Sequence, residues 1–274
     1  MSVPLYPPGS GGRIALFGSG ETARVGRRVH ELLLEAYTKP VPVAVIETPA
    51  GFQPNTNVLA QDVKAFFEHS LQNFKPQVTI VPARRRGDGP NGTDEPSLLE
   101  GIEGASYVFA GAGSPTYAVR HLSDTRLWRT ITARLEEGAT LALASAMALA
   151  VSTHTLPVYE IYKVGAELAW TPGLDLFGSL GMDLAIVPHW NNNEGGAKLD
   201  TSHCYMGNDR FSELRSMLPA ETVILAIDEH TACVVDLGRE QARVHGNGSV
   251  SVIRDGKAEA FAANEAFPLS LLRR

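Results

Sequence analysis

Cysteine is scarce in this chain: Cys204 and Cys233 are the two among 274 residues. Such a pair cannot build a disulfide framework for a protein of this length, and neither belongs to a CxxC pair suited to zinc or redox work. Cationic residues are in deficit, with 24 Lys and Arg against 30 Asp and Glu and a net charge of −6. That balance argues against a nucleic-acid backbone as the main partner. Long apolar runs are missing too: the most apolar stretch, Leu141 to Val151, is too short to span a bilayer. The opening MSVPLYPPGSGG lacks the basic segment and apolar run of a secretory signal. It reads as a flexible lead-in over residues 1–12, so a cytoplasmic protein with no membrane role is expected. No repeat or linker divides the chain, and a single domain over residues 1–274 is the simplest expectation.

What is present is an alternation of strand-length apolar runs with helix-period segments, the pattern of βα units in a mainly parallel sheet with helices on both faces. Strands are expected at Ile14 to Phe17, in VPVAVIETP, in VTIVPA, at Ser106 to Phe109, at Ala139 to Ala144 and at Leu184 to Val187. Helices are expected after the first strand, over Val58 to Phe74, and over Asp124 to Glu137 closed by Gly138. Near the end, shorter alternating runs are separated by Asn-Gly and Asp-Gly signals. These predict a C-terminal antiparallel β extension built of hairpins.

In an open parallel sheet the ligand crevice lies outside the carboxyl ends of the strands. The segments to inspect are therefore GSGE, ETPAGFQPN, GAGSPT, Ser145, PHW and IDEHTA. Ser145 closes an apolar strand and opens an apolar helix. That position suits a nucleophile elbow, which lifts a hydroxyl above the sheet edge, and it equally suits an ordinary serine N-cap. Gly111 and Gly113 fit a turn that offers backbone N–H groups, or a plain tight turn. His154, His189 and His230 could each serve as a base. A metal set of His189, Glu194, His203 and Cys204 has no recognisable zinc spacing. A lone GxG in GSGE, without a third glycine or a P-loop lysine, makes a weak nucleotide site.

The segments FAGAGSPTYAVRHL, LALASAMALAVSTHT, LAIVPHWNNNEGG and AIDEHTACVV resemble, in that order, the motifs of the serine peptidases that include dipeptidase E (the aspartyl dipeptidase) and cyanophycinase. The resemblance runs from the first strand to DEHTA and implies a flavodoxin-like, class I glutamine amidotransferase-like fold. It implies Ser145 as nucleophile, His189 as general base on a strand beside the nucleophile strand, and Glu160 as the carboxylate orienting the imidazole. Asp228 and Glu229 are next in line for that carboxylate. The oxyanion hole falls on the N–H groups of Gly113 and Ala146. Glu21, Ser114, Trp190, Asn191 and Met147 are expected to line the substrate crevice. No metal or cofactor is called for, and a monomer or homodimer acting on a small peptide or amide, with aspartate-containing substrates preferred, is the implied activity.

One departure stands out. The family has Ser-Ala-Gly-Ala where this chain has Ser-Ala-Met-Ala, so Met147 replaces a glycine that allows close packing of helix on strand. Met147 either reshapes the pocket for a different substrate or leaves a catalytically silent domain that binds a small acidic ligand or a partner protein.

Overall fold

The computed structural model describes residues 11–273; the first ten residues of the expected lead-in lie outside them. The strands are β1 Arg13–Phe17, β2 Pro42–Ile46, β3 Gln77–Val81, β4 Tyr107–Ala110, β5 Thr140–Ala144, β6 His154–Thr155 and β7 Thr171–Pro172. They continue with β8 Leu184–Val187, β9 Val223–Ile227, β10 Thr231–Asp236, β11 Gln241–Gly246, β12 Ser249–Arg254, β13 Lys257–Ala262 and β14 Ala266–Pro268. The helices are α1 Arg24–Leu34, α2 Thr56–Ala65, α3 Pro96–Glu103, α4 Pro115–Leu122, α5 Arg126–Glu136, α6 Ala146–Ala150, α7 Ser202–Tyr205 and α8 Gly207–Ser216.

Eight strands form the large sheet in the order β14-β11-β10-β1-β5-β4-β2-β3. From β1 through β5, β4 and β2 to β3 every pairing is parallel, while β10, β11 and β14 extend the β1 edge antiparallel. Every residue of β1 and β5 is buried, as strands sandwiched between helices require. Their side chains alternate between two cores: Ile14, Leu16, Leu141 and Leu143 join one cluster with α4, α5 and α6, and Ala15, Phe17, Ala142 and Ala144 join the other with α1 and α2. The expected α/β class, with a mainly parallel sheet and added antiparallel strands, is the one observed.

Two expectations about strand placement are corrected. β8 does not lie beside β5, whose two edges are filled by β1 and β4. Instead β8 pairs with β9 in a second sheet of order β13-β12-β9-β8. Its residues alternate between the central core, through Leu184 and Ile186, and a third core, through Ala185 and Val187. The Asn247-Gly248 signal does not close a hairpin either, because β11 belongs to the large sheet and β12 to the small one. Asp255-Gly256 does close one: both residues adopt positive φ, 50° and 76°, between the paired strands β12 and β13, as a type I′ turn requires. The helix expected to reach Phe74 ends earlier, with α2 passing at Ala65 into a wider π-helical turn over Phe66–Ser70. Among the described residues no helix is long and apolar enough to cross a membrane.

Candidate active site

Ser145 joins the last residue of β5 to the first of α6 with φ 51° and ψ −110°. A non-glycine residue in that region is strained, and strain persists only where the surroundings hold it. Here the Ser145 N–H donates to the carbonyl of Phe17 at the end of β1, at 3.2 Å. The hydroxyl makes no capping bond to α6. It lies instead 2.9 Å from Nε2 of His189.

His189 follows β8 and is also left-handed, at φ 53°. Its N–H donates to the carbonyl of Gly18 (3.2 Å), so the successive carbonyls of Phe17 and Gly18 brace Ser145 and His189. Gly18 has no room for a side chain, since a Cβ there would meet the Asp228 carbonyl oxygen at 2.0 Å. Nδ1 of His189 lies 3.0 Å from Oε1 of Glu229, in the turn between β9 and β10. An ionised carboxylate only accepts, so Nδ1 carries the proton and Nε2 is left to accept from the Ser145 hydroxyl. Oε1 of Glu229 accepts a second bond from the Asn192 amide at 2.9 Å, and the Glu229 N–H donates to Oδ1 of Asn191 at 2.8 Å. The hydrogen bond from His189 is the main cause that holds the Glu229 carboxyl below the usual range, with Asn192 adding to it.

Glu160, expected to orient the imidazole, stands elsewhere. It accepts a 2.5 Å hydrogen bond from the Thr116 hydroxyl and lines a separate cavity with Thr116, Tyr117 and Arg120. The reason is topological: the segment after β6 folds over the start of α4, while the turn that meets His189 is the one joining the two sheets. The hydrogen-bonded order along the chain is therefore Ser, His, Glu.

Gly113 and Ala146 line the same cavity of about 270 Å³ as Ser145 and His189. Gly113 has φ 156°, and a Cβ there would fall 1.9 Å from the Pro49 carbonyl oxygen. Further side chains line this cavity without having been singled out for it in the sequence, among them Tyr159, Tyr162, Lys163, Cys204 and Tyr205. His203, Cys204 and Tyr205 are three successive residues with positive φ, at 53°, 55° and 68°; none is a glycine, so nothing in the residue types announces the turn. Burial pushes the Cys204 thiol up to about 12, with Glu229 adding to the effect, so that the sulfur stays protonated and is no rival nucleophile.

The residues expected to line the crevice divide. Met147 is 1% exposed and packs in the central core, and it is absent from the cavity wall. Two positions beyond Ser145 on α6, its side chain is directed into the protein, so it is not the wall of the substrate pocket that the sequence led one to expect. Glu21 lines a neighbouring cavity of about 260 Å³ with Glu47 and Gly111. Ser114 caps α4, accepting from the Tyr117 N–H at 3.2 Å. Trp190 packs edge-on against His203 and Phe211. Asn191 supports Glu229, as described. Among the described residues no group of three or more His, Cys, Asp or Glu side chains is placed to hold a metal ion.

No family model matches the chain, and no curated protein matches it. Solved structures do, two peptidases among them. A peptidase from an acI-B1 Actinobacterium superposes with a TM-score of 0.73 at 22% identity, over 94% of this chain and 96% of that one. A candidate peptidase E protein from Listeria monocytogenes EGD-e superposes with a TM-score of 0.52 at 13% identity, over 92% of this chain and 99% of that one. The chain shares the fold of these two proteins.

Proposed function

We propose that the protein is a serine peptidase or amidohydrolase of the dipeptidase E type. The observation that carries this reading is the unbroken chain from the strained Ser145, through His189 at 2.9 Å, to Glu229 at 3.0 Å. A serine hydroxyl is a weak nucleophile until a base removes its proton. In this reading Ser145 Oγ attacks the scissile carbonyl while His189 Nε2 takes the hydroxyl proton. Glu229 holds the imidazole in the required tautomer and stabilises the imidazolium that forms. The N–H groups of Gly113 and Ala146 receive the negative charge that develops on the carbonyl oxygen. His189 then returns the proton to the departing amine, leaving an acyl group on Ser145, which water cleaves by the reverse sequence.

The peptidase descriptions of the two fold relatives support the same class, and the cavity volume suits a small peptide or amide. A catalytically silent domain gains no support from Met147, which packs in the core and leaves the elbow open. Rapid mixing with excess p-nitrophenyl ester tests the acyl-enzyme: a burst of nitrophenolate close to the enzyme concentration is expected. A strictly linear release in a protein whose Ser145→Ala variant is equally fast would reject the nucleophile.

A further inference from the structure

The charge lining of the Ser145 cavity contains an asymmetry that the hydrolytic reading does not use. Glu194 lies on the loop after His189 and lines the cavity. Its N–H donates to Oδ1 of Asn192 at 3.2 Å, and the amide of that same Asn192 holds Glu229. The position of Glu194 is therefore tied, through one side chain, to the carboxylate that serves His189. Among the described residues the Glu194 carboxylate has no ion-pair partner. Lys163, the cation of the cavity wall, sits over the Tyr162 ring, 4.9 Å from its centroid.

Beside Glu194 stands Tyr205, brought to the cavity by the three successive left-handed residues. Its ring lies 5.3 Å from that of Tyr162 and 5.9 Å from that of His189. Burial first, then the nearby Glu194, push the Tyr205 hydroxyl above its ordinary range, so it remains neutral. A carboxylate that has a tyrosine hydroxyl but no cation beside it, next to aromatic faces, attracts a cation by charge and by the ring quadrupole. The same carboxylate repels an acidic side chain, against the aspartate preference that the family resemblance implies.

We infer that Glu194, with Tyr205 as its flanking wall, is a specificity-determining residue that receives a positively charged nitrogen of the substrate. The inference rests on the Ser145 cavity being the substrate site. That nitrogen can come from a free amino terminus or from a basic side chain.

Binding to the Ser145→Ala protein separates these sources without requiring turnover. Ligand-observed NMR titration would compare alanyl-alanine, N-acetyl-alanyl-alanine and N-acetyl-lysyl-alanine. A charged hydrogen bond makes a cationic peptide bind roughly tenfold more tightly than its uncharged counterpart. An advantage for alanyl-alanine assigns the amino terminus, and one for N-acetyl-lysyl-alanine assigns the side chain. Adding Glu194→Gln or Glu194→Ala should erase that advantage while the circular dichroism spectrum stays unchanged. Equal binding of all three peptides, no saturable binding of either cationic one, or an advantage that survives both substitutions overturns the inference. Labelling of Ser145 in the unaltered protein reads the hydrolytic mechanism separately, since Glu194 takes no part in it.

Discussion

Asn192 and His189 share one acceptor: both reach Oε1 of Glu229, the amide at 2.9 Å and the imidazole Nδ1 at 3.0 Å. Two donors on one oxygen fix the carboxylate's orientation as well as its charge, and Asn192 itself is almost wholly buried. A base whose tautomer matters needs a partner that cannot rotate away.

The first prediction follows from that arrangement. Glu229→Gln should lower kcat by about three to four orders of magnitude, because an amide no longer enforces the proton on Nδ1. Glu160→Gln should leave kcat near that of the unaltered protein, since Glu160 bonds Thr116 and not His189. Parallel steady-state kinetics on one ester substrate check both, and a reversed pair of effects would return the role to Glu160.

Met147 gives a stability prediction instead of a specificity one. Replacing this core side chain by glycine removes buried volume and adds a helix penalty, together costing about 3–5 kcal/mol. Met147→Leu keeps the volume and should cost under about 1.5 kcal/mol. Urea unfolding of the two variants measures the difference. A gain in kcat/KM for Met147→Gly with unchanged stability would put the side chain back in the pocket.

Gly113→Ala should be damaging in two ways. Its Cβ collides with the Pro49 carbonyl, so the GAGSP turn must shift and carry its N–H away from the cavity. The expected readout is a fall in kcat of about a hundredfold, the cost of one misplaced oxyanion donor, with KM much less affected.

How much of this could be seen beforehand depends on the kind of signal. The ends of β5 and β8 were legible because an apolar strand that stops at a serine or a Pro-His places those residues at the crevice whatever the strand order. The carboxylate was not: Glu160, Asp228 and Glu229 all follow plausible turns, and choosing among them needs to know that the β9 to β10 turn crosses from one sheet to the other. Periodicity reports which faces of a strand are apolar but not which edge it pairs with, so β8 beside β5 and β8 beside β9 look alike. Tyr205 was invisible for another reason, since its left-handed approach uses His, Cys and Tyr where glycine or asparagine would have marked it.

Acid stability supplies a further test. His30 is fully buried, with Nδ1 2.6 Å from the Tyr107 hydroxyl and Nε2 3.0 Å from the Glu21 carbonyl oxygen. Burial lowers its pKa from 6.5 to about 3, and burial lowers that of His245 to about 4. Both histidines are neutral when folded and take up protons on unfolding once the pH drops below about 6.5, so the unfolded state binds more protons and stability falls. The melting temperature should therefore decline from pH 6.5 towards pH 4. It should decline less steeply in His30→Phe, even though that variant starts lower. An identical slope in the two proteins would show that His30 is not a source of the effect.

The central claim is that Ser145 is a nucleophile activated by His189, and intact-mass analysis after treatment with a fluorophosphonate reads it most directly. One adduct per chain is expected, mapped by peptide sequencing to Ser145, with no adduct in Ser145→Ala and labelling slowed at least about a hundredfold in His189→Ala. An adduct on another residue, or a labelling rate at Ser145 that is indifferent to His189, would contradict it.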